Sequence, residues 1–212
     1  TPFIGREGEL DQLHQRFTDR SYRLISLVGP GGIGKTRLAL QAARAGRDAF
    51  RDGVFFVPLD GVQIAAEVPA AIAEALGVTF SGSESPQAEI ITILRDKQIL
   101  VVIDNLEHVI EEGAELLLEI IQTTPEVVLL ITSREQINAQ GEDLFRLRGL
   151  PYPNEDTDPD PARYAAIRLF VDRVHRIEKD FGLSEDTLSH VVQICQLVEG
   201  LPLGLELAAT WV

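Results

Sequence analysis

Apolar residues follow two different rhythms along this chain. Short, nearly unbroken runs rich in β-branched residues occupy 23–28, 54–59, 99–103, 127–132 and 144–147, and predict five strands. The middle three are almost continuously apolar, as strands buried on both faces should be. Between the runs lie helical patterns over 36–50, 64–76, 86–96 and 109–122. Ser85-Pro86 is a good start for the third, a capping hydroxyl followed by proline at the first helical position. Strands alternating with helices imply a parallel sheet covered on both faces.

The rhythm changes near residue 150. Residues 149–161 hold four prolines and four acids and read as a linker. Only helical patterns follow, over 161–178, 184–199 and from 201 onward, with Gly200 closing the second and Pro202 opening the third. The expected plan is an α/β domain over 1–150 and a helical subdomain over 151–212. There is no internal repeat. The chain begins without methionine and stops at Trp211-Val212 inside an apolar pattern, so it is expected to be excised from a longer protein.

Composition narrows the possible partners. Apolar residues make up 45% of the 212, enough for a proper core, and the formal net charge is −14, from 33 acidic against 19 basic residues. A surface that negative repels a phosphate backbone, whose partners are Lys and Arg, so no direct nucleic-acid binding by this chain is expected. The lone cysteine, Cys195, sits in an apolar helical pattern and reads as a small buried hydrophobe. No apolar stretch of 18 residues and no signal-peptide pattern occur, which predicts a soluble, cytoplasmic protein without a membrane partner.

The chemistry is concentrated in GPGGIGKT, residues 29–36, directly after the first strand and before a helix. Its glycines let the backbone N–H groups of residues 32–36 turn inward, and the helix N-terminus adds partial positive charge, which makes a phosphate cradle. Gly29, Gly31, Gly32, Ile33, Gly34, Lys35, Thr36 and the following Arg37 are the expected phosphate-binding residues. Lys35 would reach the β- and γ-phosphates, and Thr36 would ligate Mg²⁺. Asp104 ends the buried run 99–103 and is the second expected metal residue. Asn105 follows where many ATPases carry a water-activating acid, and an amide cannot take a proton. Glu107 or His108 is a substitute base, although Glu107 reads equally well as a solvated acid opening the next helix. If the run 127–132 lies between the cradle strand and that of Asp104, Arg134 points at a γ-phosphate, where it makes bonds only a triphosphate can accept. Otherwise it is a solvent-facing arginine after a strand.

Together these residues resemble the signal-transduction ATPases with numerous domains (STAND), the group that includes the NB-ARC proteins, and within it the bacterial LuxR-type and AfsR-type regulators. The resemblance rests on Phe3-Ile4-Gly5-Arg6-Glu7, on GPGGIGKT, on LVVIDNLEHV from Leu100 and on LLITSRE from Leu129. Ala166-Ile167-Arg168-Leu169-Phe170-Val171 and Gly200-Leu201-Pro202-Leu203 complete it. It implies a P-loop three-layer α/β/α fold with strand order five-one-four-three-two, bound ATP or ADP with Mg²⁺, and Arg134 as γ-phosphate sensor. It also implies that the backbone of Ile4, Gly5 and Arg6 lies along the adenine edge and that Pro202 packs on the base, although Gly200-Leu201-Pro202 by itself is a helix stop and start. Such proteins continue into a winged-helix domain and then sensor repeats, and associate with themselves in the ATP state. The reading is an ATP/ADP switch with slow hydrolysis, the core of a larger regulator with its sensor and effector domains elsewhere. A small-molecule kinase, or a module that holds ADP without turnover, is the alternative.

Overall fold

The computed structural model describes residues 2–19, 22–153 and 160–212. They form two compact units. Among the described residues, a sheet unit comprises 8–19, 22–29 and 35–146, and a helical unit comprises 2–7, 30–34, 147–153 and 160–212.

In the sheet unit the five apolar runs become β1 (Leu24–Val28), β2 (Gly53–Pro58), β3 (Ile99–Asp104), β4 (Val128–Ser133) and β5 (Glu142–Arg146). They make one sheet in the order β2-β3-β4-β1-β5, with every neighbouring pair parallel. This is the order the resemblance implied, and it puts β4 between β1 and β3. Every residue of β1, β3 and β4 is buried, whereas β2 is mostly half-buried. The run 54–59 was expected to be buried on both faces. Among the described residues it is an edge strand, paired with β3 alone, so its apolar character marks packing against its faces.

Four helices surround these strands: α2 (Lys35–Ala45), α3 (Val68–Leu76), α4 (Pro86–Leu94) and α5 (Ile110–Thr123). Ile72, Ile90, Leu94, Leu117 and Ile120 pack with Val101, Ile103 and Leu129 in one apolar cluster. Each such side chain contributes about 1.5–3 kcal/mol when fully buried. The helix expected over 64–76 begins as a 3₁₀ turn, Ala65–Glu67, and becomes α-helical only at Val68. Pro69 explains this, since proline fits only the first helical turn.

One helix has no counterpart in the expected pattern. α1 (Glu7–Thr18) buries Leu13 and Phe17 alone, too few apolar positions to stand out beside its acids. Phe17 meets Phe50 edge-on with ring centroids 5.7 Å apart. Arg16 pairs with Asp143 of β5 and lies over the Phe145 ring, 5.1 Å from its centroid.

In the helical unit α6 (Ala165–Val174), α7 (Glu185–Leu197) and α8 (Pro202–Ala208) close on Leu150, Ala166, Phe170, Val192, Cys195 and Leu205. Ser184 caps α7 with a reciprocal pair: its hydroxyl accepts from the Thr187 N–H at 3.3 Å, and Thr187 Oγ1 accepts from the Ser184 N–H at 2.7 Å. Residues 149–153, read as the start of a linker, are docked. The Leu150 N–H donates to Gly200 O at 2.8 Å and the Ala166 N–H to Pro151 O at 3.1 Å. The middle of that linker, 154–159, lies outside the described residues. No helix among the described residues is long and apolar enough to cross a membrane.

Candidate functional site

Because β1, β3 and β4 are parallel neighbours, their C-terminal ends share one edge of the sheet. Gly29, Asp104 and the Ser133-Arg134 corner meet there, and the Gly29 N–H reaches Ser133 O at 3.4 Å. Lys35 and Thr36 open α2. The Lys35 ammonium donates to Gly29 O at 2.8 Å, and the Thr36 hydroxyl donates to Asp104 Oδ1 at 2.7 Å. A second hydroxyl, that of Thr132 on β4, donates to the same oxygen at 2.5 Å. Asp104 itself is buried. Arg37, the next residue of α2, is half-buried.

Past Asp104 the chain turns sharply. Asn105 takes a left-handed conformation, φ 68°, with its N–H on Thr132 Oγ1 at 3.0 Å. A 3₁₀ turn, Leu106–His108, follows and is pinned by the buried Leu106. Glu107 is therefore not a solvated acid at a helix start: its side chain is only 12% exposed. Its Oε1 pairs with Arg134 Nε at 3.1 Å, while Oε2 is buried with no hydrogen-bond partner among the described residues. With the exposed His108 and Glu135 it lines a cavity of about 480 Å³.

Two residues of this constellation were not anticipated from sequence. Thr132 lies within LLITSRE, but a hydroxyl inside a buried strand gives no local sign of which carboxylate it will meet. Asp60 Oδ1 accepts from the Asn105 amide at 2.9 Å, so a carboxylate stands beside the amide that replaces the expected acid. The signal for Asp60 was present: like Asp104, it directly follows an apolar run.

Lys35 is the partly desolvated cation of the site. Burial pushes the Lys35 ammonium below its ordinary value; Glu107 opposes the shift, Arg134 reinforces it and Asp104 opposes it. A polyphosphate would relieve that penalty. A hydroxyl that gives its proton to a carboxylate still has lone pairs for a metal, so Thr36 and Asp104 fit Mg²⁺. Among the described residues no group of three or more His, Cys, Asp or Glu could hold a metal. Magnesium needs none, since it is commonly bound by one or two carboxylates together with phosphates and water.

The remaining expected residues lie in the helical unit. The Arg6 guanidinium donates to Ile33 O at 3.0 Å and to Arg148 O at 2.8 Å, so it ties residues 30–34 to the segment before α6. Gly32 and Gly34 have φ +76° and +92°, which favours glycine, and Gly31 is exposed. A Cβ on Gly32 would lie 2.7 Å from that of Leu203, whose N–H donates to Gly32 O at 3.2 Å. Gly5 is buried against Ala165, Ile4 packs on the helical core, and Pro202 opens α8. A cavity of about 1020 Å³ is lined by Pro30, Ile33, Arg148, Tyr152, Tyr164 and Leu201, among others. Neither Pro202 nor Ile4 lines it.

Residues 2–131 match the family model of the AAA ATPase domain, and the chain belongs to that family. Over 209 residues it is 33% identical to an uncharacterized protein of Mycobacterium tuberculosis, covering 99% of this chain and 50% of that protein. Over 187 residues it is 34% identical to a putative HTH-type transcriptional regulator of the same organism, covering 88% of this chain and 20% of the regulator. The chain thus spans about half the length of the first relative and a fifth of the second. In fold it is similar to a STAND protein with a tetratricopeptide repeat sensor from Pyrococcus horikoshii, with TM-score 0.57 and 17% identity, covering 96% of this chain and 29% of that one.

Proposed function

We propose that this chain is the ATP- and ADP-binding core of a nucleotide-operated switch in a larger bacterial regulator, reset by slow Mg²⁺-dependent hydrolysis of ATP to ADP and phosphate. The observation that carries the reading is the convergence of the Thr36 and Thr132 hydroxyls on Asp104 Oδ1 beside a partly desolvated Lys35. That is the equipment for a metal-bound polyphosphate, found in a chain of the AAA ATPase domain family.

Bound Mg²⁺ would neutralise charge on the phosphate oxygens. Thr36 and Asp104 would hold it, with Thr132 keeping the carboxylate in place. The backbone of Gly31, Gly32, Ile33 and Gly34 would cradle the phosphates, and Lys35 would move from Gly29 O to phosphate oxygens. Ile4, Gly5, Arg6 and Pro202 would serve the base. Arg134 would read the γ-phosphate, and Glu107 would take the proton of the attacking water. Asn105 offers an amide where a base is useful, which supports turnover well below the roughly 10 per second median of enzymes.

Sensor and effector parts, and self-association in the ATP state, belong in this reading to the longer protein. The similarity to an HTH-type transcriptional regulator supports a regulatory setting. Any DNA contact is assigned to those other parts, since this chain carries a net −14.

Thermal unfolding with and without ligand tests the reading. At a hundred times the dissociation constant, binding contributes about 2.7 kcal/mol, a shift of several degrees. Mg²⁺-ATP and ADP should both raise the melting temperature of the wild type, and Lys35→Ala should abolish the rise. An unchanged rise in that variant would remove the cradle from the mechanism.

A further inference from the structure

The Arg134–Glu107 pair is built asymmetrically. Glu107 is mostly covered, at 12% side-chain exposure, whereas Arg134 is 66% exposed. The contact is made through Nε at 3.1 Å. The other carboxylate oxygen is buried with no hydrogen-bond partner among the described residues. An ion pair with one partner this exposed is weak, because water and salt screen it. A phosphoryl group carries more charge than a carboxylate, and it can take a guanidinium through two bonds where Glu107 holds Arg134 through the one Nε contact. In a contest for Arg134, the phosphoryl group wins.

We infer that Arg134 and Glu107 form an exchange pair, in which Glu107 holds Arg134 until a γ-phosphate takes it and is thereby released to accept a bond from water. The inference rests on the nucleotide reading above and specifies how that site is regulated. ADP has no γ-phosphate, so it leaves the pair closed. ATP opens the pair and leaves both oxygens of Glu107 without a protein partner, beside the cavity that Glu107 lines with His108 and Glu135. Sensing and readiness for hydrolysis become one event. Lys35 feels Glu107, Arg134 and Asp104 together, so all four groups share one local field and the exchange is felt at the cradle lysine. Asp104, by contrast, is held by two hydroxyls at 2.7 and 2.5 Å and plays no part in the exchange.

The exchange has a consequence for binding that is independent of turnover. Breaking the pair is a cost borne by ATP and not by ADP. Glu107→Gln should therefore tighten a non-hydrolysable ATP analogue by about twofold to fivefold, the value of a partly exposed ion pair, and leave ADP unchanged. In an Arg134→Ala background the same substitution should have no effect on either ligand. Calorimetric titration of wild type, both single variants and the double variant, all with Mg²⁺, measures this directly. Arg134→Gln gives a second background if Arg134→Ala does not fold.

An equal gain for both ligands would mean that Glu107 merely repels phosphate, and the exchange would be overturned. A gain that persists without Arg134, or no gain at all, would overturn it too. If wild type bound neither ligand, the nucleotide reading itself would fall. If wild type bound both but the variants showed no coupling, only the exchange would fall.

Discussion

Thr132 shows how much of the candidate site hangs on one inconspicuous side chain. Its hydroxyl donates to Asp104 and accepts from the Asn105 N–H, so it orients the carboxylate and fixes the left-handed turn after it. Thr132→Val keeps the shape and removes both bonds. The buried carboxylate and the Asn105 N–H are then short of partners, a cost of about 1–3 kcal/mol. The expected result is a lower urea midpoint with unchanged slope, together with weaker Mg²⁺-nucleotide binding. A variant as stable as wild type would show that water replaces the hydroxyl. Lys35 and Thr36 could be picked out because the Gly-rich motif contains them, and Asp104 because it ends a buried apolar run. Asp60 follows an apolar run in the same way, but only the folded chain pairs it with Asn105, and nothing local tells which carboxylate the Thr132 hydroxyl will meet.

At the scale of elements, α4 carries a device that ties it to the loop before it. Glu89 accepts from the N–H groups of Ser81, Gly82 and Glu84 and from the Ser81 hydroxyl. Burial by itself would push its carboxyl up, yet these bonds together outweigh that and hold it below the ordinary value of 4.5. A carboxyl depressed by folding stabilises the fold fully above its unfolded value, and that contribution fades as pH falls through the lower folded one. Glu89→Gln should thus lower the melting temperature at pH 7, with the gap between variant and wild type narrowing as the pH drops below 4.5. A gap independent of pH would assign the effect to shape alone. Most helices were legible from apolar spacing, and the Ser85-Pro86 start is realised as drawn, with Ser85 accepting from the Ala88 N–H at 3.2 Å. α1 was not, because two buried residues in a charged segment acquire meaning only once Phe50 and Gly46 are beside them.

For the molecule as a whole, Cys195 reports on the integrity of the helical unit. It is fully buried among Leu150, Phe170 and Val192, and burial pushes its thiol up to about 12. The thiolate is the reactive form, so alkylation at pH 8 should be far slower in native protein than in urea. Added nucleotide should slow it further wherever binding stabilises the helical unit. Native and denatured rates that agree would mean that α7 is not packed as described.

Local sequence carried the kind of most elements, α1 excepted, and the residue types offered at the loop ends. Strand against helix follows from apolar spacing, and GPGGIGKT reads as a phosphate cradle because glycine and a following helix N-terminus are local requirements. The strand order came from resemblance, since nothing in an apolar run says which other run lies beside it. Only the tertiary structure decided that 54–59 is an edge strand, that residues 149–153 dock instead of hanging free, and that Arg134 lies against Glu107. Each of these is a matter of what packs against what across a long stretch of chain. Local spacing carries no record of such distances; the long-range contacts of the folded chain set them.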